Sequence, residues 1–208
     1  MSEQDTRATF SPDQLRAQAA IRSAARAGNP EAQFRLGVMY GNADGVALDY
    51  EQARAWFEKA AAQRHQGALI TLAWMFANGT GVEMDEDRAR ALYLEAAELG
   101  SAKAQYVVAT MYRFAQYGAE KDIPAAVDWY LRAADQGMPT AQFALGQMLM
   151  EGRGVVRDDA AALQWLSLAH VNGSKRAEDY VKHLIQRMDP AEVQAVRARM
   201  TGPDGSAG

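Results

Sequence analysis

The chain has no cysteine. That one absence excludes disulfides, thiol nucleophiles and thiolate metal sites together. Histidine is scarce: there are only three, His65, His170 and His183. None has another histidine or a carboxylate at a recognised ligand spacing, so all three are read as structural, and no metal or cofactor is expected. A basic excess is also missing. There are 22 Lys and Arg against 26 Asp and Glu, a net charge of −4, and no basic cluster longer than two residues. This argues against a nucleic-acid binder. Long apolar runs are absent too. The longest, Ala68 to Ala77, is interrupted by Thr71. It is about half of the ~20 residues needed to span a bilayer, and reads as a buried helix. The opening Met1-Ser2-Glu3-Gln4-Asp5-Thr6-Arg7 is polar, with no apolar stretch after it. A secretory signal is therefore not expected, and the cytoplasm is the expected compartment.

What the chain does have is self-similarity. Ala32, Ala68, Ala104, Ala141 and Ala177 recur at intervals of 36 or 37 residues. Trp56, Leu92, Trp129 and Trp165 run beside them in the same register, as do the pairs Ala60-Ala61, Ala96-Ala97, Ala133-Ala134 and Ala169-His170. A fixed period of this length marks a solenoid, whose units bury apolar faces against their neighbours. Each unit reads as two helices. In the second unit, Ala68, Leu72, Ala73 and Phe76 form one helical stripe, and Ala89, Leu92, Tyr93, Ala96 and Ala97 form another. Small residues mark the expected helix crossings at Gly37, Ala73, Ala109 and Gly146, with Tyr40, Phe76 and Tyr112 and the tryptophans filling the space beside them.

The punctuation agrees. Gly79-Thr80-Gly81-Val82 and Gly152-Arg153-Gly154-Val155 end the first helix of a pair, where glycine suits the left-handed C-terminal position. Asp49, Asp85, Asp122, and Asp158 or Asp159 open the second helix, where a carboxylate accepts from unpaired N–H groups. Pro12, Pro30, Pro139 and Pro190 stand in first turns. The glycine turns lack the preceding strand and following Lys-Ser/Thr of a nucleotide loop. Asp85-Glu86-Asp87 is read as a helix start, not a calcium loop.

The spacing predicts an all-α chain with helices near 11–27, 30–42, 49–64, 66–78, 85–99, 102–115, 122–136, 138–151, 158–172, 174–188 and 190–200. Residues 11–200 are expected to form one repeat domain: an N-terminal cap at 11–28, four repeats at 29–173 and C-terminal cap helices at 174–200. Residues 1–10 and 201–208 are expected to be disordered. Trp129 is expected in the core between adjacent repeats.

These motifs resemble a known pattern. Ala32-Gln33-Phe34-Arg35-Leu36-Gly37-Val38-Met39-Tyr40, Ala141-Gln142-Phe143-Ala144-Leu145-Gly146, the 152–155 loop and Trp129-Tyr130-Leu131-Arg132-Ala133-Ala134 are similar to the Sel-one-like repeat family, a tetratricopeptide-related group. The resemblance covers about residues 29–173. It implies a right-handed α/α superhelical solenoid of about four repeats with helical caps, serving protein–protein assembly. The segment from Leu184 through Val193 resembles the helical tail of bacterial members. Two units depart from the pattern. The first has Ala43-Asp44-Gly45, and the third has a loop one residue longer through Arg113-Phe114-Ala115-Gln116-Tyr117-Gly118, without the glycine pair.

By tetratricopeptide geometry, Phe34, Ile70, Tyr106 and Phe143 form a first row on the concave face. Val38, Trp74, Thr110, Gln147 and His183 form a second, with Arg113, Phe114 and Met150 one turn beyond. The first row serves either as groove or as inter-helix packing. Trp74 stands out because Val38, Thr110 and Gln147 occupy its register, so the repeat does not need a large ring there. The expected partner-binding set is Phe34, Trp74, Tyr106, Arg113, Phe114, Phe143 and Gln147, gripping a protein or peptide partner. A non-enzymatic adaptor, more often monomer than homo-oligomer, is the leading reading. The alternative is self-assembly through the stripe Val181, Leu184, Ile185 and Met188. An enzyme is the third, and no Ser/His/Asp arrangement or carboxylate pair marks one.

Overall fold

The computed structural model describes residues 11–201, and the expectations for residues 1–10 and 202–208 lie outside them. Among the described residues there are eleven helices and no strand. They are α1 (Pro12–Arg26), α2 (Pro30–Asn42), α3 (Tyr50–Ala61), α4 (Gln66–Asn78), α5 (Glu86–Glu98), α6 (Ala102–Phe114), α7 (Ile123–Asp135), α8 (Pro139–Glu151), α9 (Asp159–Val171), α10 (Ala177–Arg187) and α11 (Pro190–Thr201). All eleven expected helices are present. They fall into two compact units, Met1–Leu92 and Tyr93–Gly208, with the boundary inside α5.

Each helix starts as its sequence dictates. The side chains of Asp49, Asp122 and Asp158 accept from the N–H groups of Gln52, Ala125 and Ala161, and Asp85 accepts from Arg88. Asp158 is therefore the cap. Asp159 instead meets Arg157 and Arg187, and its pairing with Arg157 is the largest cause holding its carboxyl below the usual range. His65 takes the cap position of α4: its Nδ1 accepts from Ala68 N–H at 3.2 Å, which leaves Nε2 to donate to Glu31 at 3.0 Å.

The irregular loops close like the regular ones. Asp49 N–H donates to the Tyr40 carbonyl at 3.0 Å, Asp85 to Phe76 at 2.9 Å, and Asp158 to Leu149 at 3.0 Å. In the longer third loop, Asp122 donates to Tyr112 at 2.9 Å, so the extra residue is absorbed within the loop. Ala43 and Ala115 adopt the left-handed cap, with φ of 57° and 53°, that Gly79 and Gly152 adopt elsewhere.

The second loop glycine has a different reason. A side chain at Gly81 would collide with Tyr50 at the start of α3, and one at Gly154 with Ile123 at the start of α7. The loop of one repeat thus lies directly on the preceding repeat. The small residues at helix crossings act in the same way. A Cβ at Gly37 would sit 2.6 Å from the Phe57 ring, and one at Gly146 would sit 2.7 Å from Leu166.

The core corrects the reading of the tryptophans. Trp56, Trp129 and Trp165 are only half-buried. The fully buried ladder is the next residue along: Phe57, Tyr93, Tyr130 and Leu166. Trp129 keeps one face for Arg132, whose guanidinium lies 4.3 Å from the ring, and Trp56 carries Lys59 at 4.0 Å. An i, i+3 cation can reach only a ring at the helix surface. At the C-terminal end, Leu184, Met188, Val193 and Val196 join Leu163, Leu166 and Ala169 of α9 in one core. The stripe that motivated self-assembly covers this chain's own last repeat.

Candidate protein-interaction surface

The helix-A rows separate into residues that pack and residues that remain open. Phe34 stacks on His65 with centroids 4.8 Å apart and leans on Phe57 at 5.7 Å. Tyr106 contacts Tyr130 at 5.7 Å. Phe143 is only 9% exposed, beneath the edge of Tyr180 at 5.2 Å and the guanidinium of Arg176 at 5.1 Å. Gln147 donates through Nε2 to the Tyr180 hydroxyl at 3.2 Å. Phe143 and Gln147 were expected on an open face. The chain's own α10 covers Phe143 and engages Gln147, because Tyr180 occupies that position. The first row therefore serves inter-helix packing, although Phe34 and Tyr106 keep part of their surface.

Trp74 and Phe114 are open. Trp74 is 50% exposed. It borders a cavity of about 250 Å³ within the first unit, whose other walls include Val38, Tyr50, Phe57, Thr71 and Met75. Phe114 is 57% exposed. It lies in the second unit with the Arg113 guanidinium 4.9 Å over its ring. Burial chiefly pushes up the pKa of the buried Tyr130 phenol, and the nearby Arg113 guanidinium holds it back.

One set of polar residues was missed in the sequence. Gln33, Gln105 and Gln142 are buried. Each donates through Nε2 to a backbone carbonyl eight residues earlier, Ala25, Ala97 and Ala134, at 3.3, 3.1 and 3.0 Å. Each also accepts at Oε1 from the end of the second helix of its own pair: from Gln63 at 2.8 Å, Gln136 at 2.7 Å and Asn172 at 3.0 Å. The Nε2 bonds tie each pair to the helix before it, and the Oε1 bonds brace the pair itself. The signal was present, since each glutamine directly follows an alanine of the 36-residue ladder. Among the described residues no group of three or more His, Asp or Glu is gathered as a metal site, and no helix is long and apolar enough to cross a membrane.

The comparisons with known proteins agree with this architecture. The Sel1 repeat model matches residues 30–65, 68–101, 102–138 and 139–169. A Sel1 repeat protein from Oxalobacter formigenes superposes with a TM-score of 0.78 at 34% identity, covering 89% of this chain and 78% of that one. A protective antigen of uropathogenic Escherichia coli gives 0.76 at 28% identity, covering 88% of this chain and 40% of the other. Among curated proteins, the chitin synthase regulator SKT5 of Saccharomyces cerevisiae is 45% identical over 58 residues, 28% of this chain. The ERAD-associated E3 ubiquitin-protein ligase component HRD3A of Arabidopsis thaliana is 35% identical over 58 residues, also 28% of this chain. The matched stretches span only 8% and 9% of those two proteins. With four repeats matched in succession, the chain belongs to the Sel1 repeat family, whose members are in general non-catalytic scaffolds for protein–protein interaction.

Proposed function

We propose that this chain is a non-enzymatic adaptor that holds a peptide or helix of a partner protein on its helix-A face, with Trp74 as the anchor. The carrying observation is the placement of Trp74: a half-exposed indole on the rim of an apolar cavity of about 250 Å³. A tryptophan beside a small apolar recess is what an interaction hot spot needs, because a partner side chain can be desolvated on both sides. The repeat itself has no use for the ring, since Val38, Thr110 and Gln147 fill the same register. The curated relatives support an accessory role, one being named a regulator and the other a component. The protein works in the cytoplasm as a monomer, residues 11–200 acting as one repeat domain.

The test compares parent and Trp74→Ala by affinity capture with mass spectrometry, followed by titration of the captured partner. The substitution should weaken binding by ~2 kcal/mol or more, as truncation of a hot-spot residue does. Its melting curve should stay close to the parent's. Undiminished affinity would remove Trp74 from the interface.

A further inference from the structure

We propose that a second cleft, in the C-terminal unit, receives an acidic peptide segment carrying one large apolar side chain. It lies among the end of α6, the start of α7 and the loop after α8, and has a volume of about 430 Å³. Its apolar surface comes from Phe114, Ile123 and Met148, and its charge from Arg113, Lys121 and Arg153. Among the described residues no carboxylate lines it. Arg153 engages Glu151 at 2.8 Å. Arg113 forms no ion pair among the described residues, which leaves its charge uncompensated. Lys121 takes part in no ion pair among the described residues.

Three cations gathered around one cleft stand out on a chain of net charge −4. Acidic proteins disperse their cations among carboxylates, and most of the ion-paired arginines among the described residues do so within a few residues. Arg153 has Glu151, but Arg113 and Lys121 form no ion pair among the described residues, and such cations meet their counter-charge from outside. The apolar wall narrows the class. A free inorganic anion would gain nothing from Phe114, Ile123 and Met148. A nucleic acid would set a long polyanion against the negative remainder of the chain, with three cations to offset it. An acidic segment with a single aromatic or branched aliphatic residue uses both halves. Its side chain packs on Phe114 and Ile123, and its carboxylates meet Arg113 and Lys121. Arg113 is pre-set for this, because its stacking on Phe114 orients the guanidinium before a ligand arrives.

This inference rests on the reading of the chain as a binder of protein segments, but it uses different residues, so the two can fail separately. The probe is a short fluorescein-labelled peptide of glutamates around a central phenylalanine, titrated into the full chain by fluorescence anisotropy. The controls replace the glutamates by glutamine or the phenylalanine by serine. The acidic peptide should bind about tenfold or more tightly than either control, and rising salt should weaken it. Lys121→Glu should weaken it about tenfold with an unchanged melting curve, since Lys121 is an exposed loop residue. Arg153→Glu serves as a second reversal on a separate loop. Equal affinity for all three peptides, or indifference to both reversals, would overturn the proposal. So would equal binding of a single-stranded oligonucleotide with the same variant response. Loss of peptide binding on Trp74→Ala with Lys121→Glu silent would place the peptide in the N-terminal unit and overturn the cleft while sparing the anchor. Tight, charge-dependent binding alongside partner capture that survives Trp74→Ala would do the reverse.

Discussion

Gln136 donates through Nε2 to Oε1 of Gln105 at 2.7 Å, joining the two helices of one repeat. Gln105 passes the connection on, donating to the Ala97 carbonyl at 3.1 Å. One buried amide thus joins a backbone carbonyl of the preceding repeat to a side chain of its own. Where the second repeat has Leu69 in place of the first glutamine, Leu99 stands in place of the second. Losing one polar partner strands the other, whereas losing both is tolerated.

That asymmetry can be measured. Gln105→Leu alone should cost about 1–3 kcal/mol, because it removes two hydrogen bonds worth about 0.5–1.5 kcal/mol each, although the Ala97 carbonyl keeps the Gly100 N–H and Gln136 keeps the Arg132 carbonyl. Gln105→Leu combined with Gln136→Leu should cost clearly less than the sum of the two singles. Urea unfolding of the four proteins in the cycle gives the coupling energy, and strict additivity would show that the two amides act independently.

Tyr130 and Trp129 are adjacent in sequence and unequal in burial. Tyr130→Ala should lose about 3–5 kcal/mol through lost contacts and the cavity left behind. Trp129→Ala should lose roughly half as much, because one ring face already meets Arg132 and solvent. Thermal melts that rank the two variants in the opposite order would return the indole to the core.

Arg64 has a φ of 61°, in register with Gly28, Gly100, Gly137 and Gly173, which all take positive φ. A left-handed conformation costs an L-residue about 1–2 kcal/mol, partly offset in Arg64→Gly by the greater freedom of glycine in the unfolded chain. The substitution should therefore raise stability by up to about 1 kcal/mol, or roughly 2–4 °C in melting temperature. A lowered melting temperature would show that the Arg64 side chain contributes more than its backbone strain removes.

Burial pushes the Tyr93 phenol up to about 12, with Tyr117 at 5.9 Å adding to the effect. The folded pKa lies above the unfolded value of about 10, so the unfolded chain ionises first. The stabilisation is complete below pH ~10 and is lost as pH rises toward ~12. Tyr93→Phe should flatten that alkaline limb of the unfolding free energy. An unchanged limb would assign the loss to other groups.

The sequence by itself determined the element order and the repeat register. Helix-length stripes, aspartate caps and a 36-residue period act locally or between immediate neighbours, so they are written in consecutive residues. The aspartates at 49, 85 and 122 were legible because a cap needs one side chain and an N–H three residues on, and the fourth was narrowed to Asp158 or Asp159. The family, too, was legible from the motifs alone.

Tertiary structure decided which faces were available. The tryptophan ladder looked like full core because its period matched, yet one residue of helix phase places Tyr130 inside and leaves Trp129 half-buried at the core's edge. Phe143 and Gln147 belonged to the groove by register, until α10 brought Tyr180 onto them from 33 to 37 residues away. No local pattern announces which segment will fold back over a face. The buried glutamines escaped notice for the same reason, since an amide reads as exposed until its carbonyl and its neighbouring repeat are in place. The cleft of Arg113, Lys121 and Arg153 likewise exists only once two loops and a helix end are side by side. Periodicity fixes what each helix is, while burial depends on what the rest of the chain lays against it.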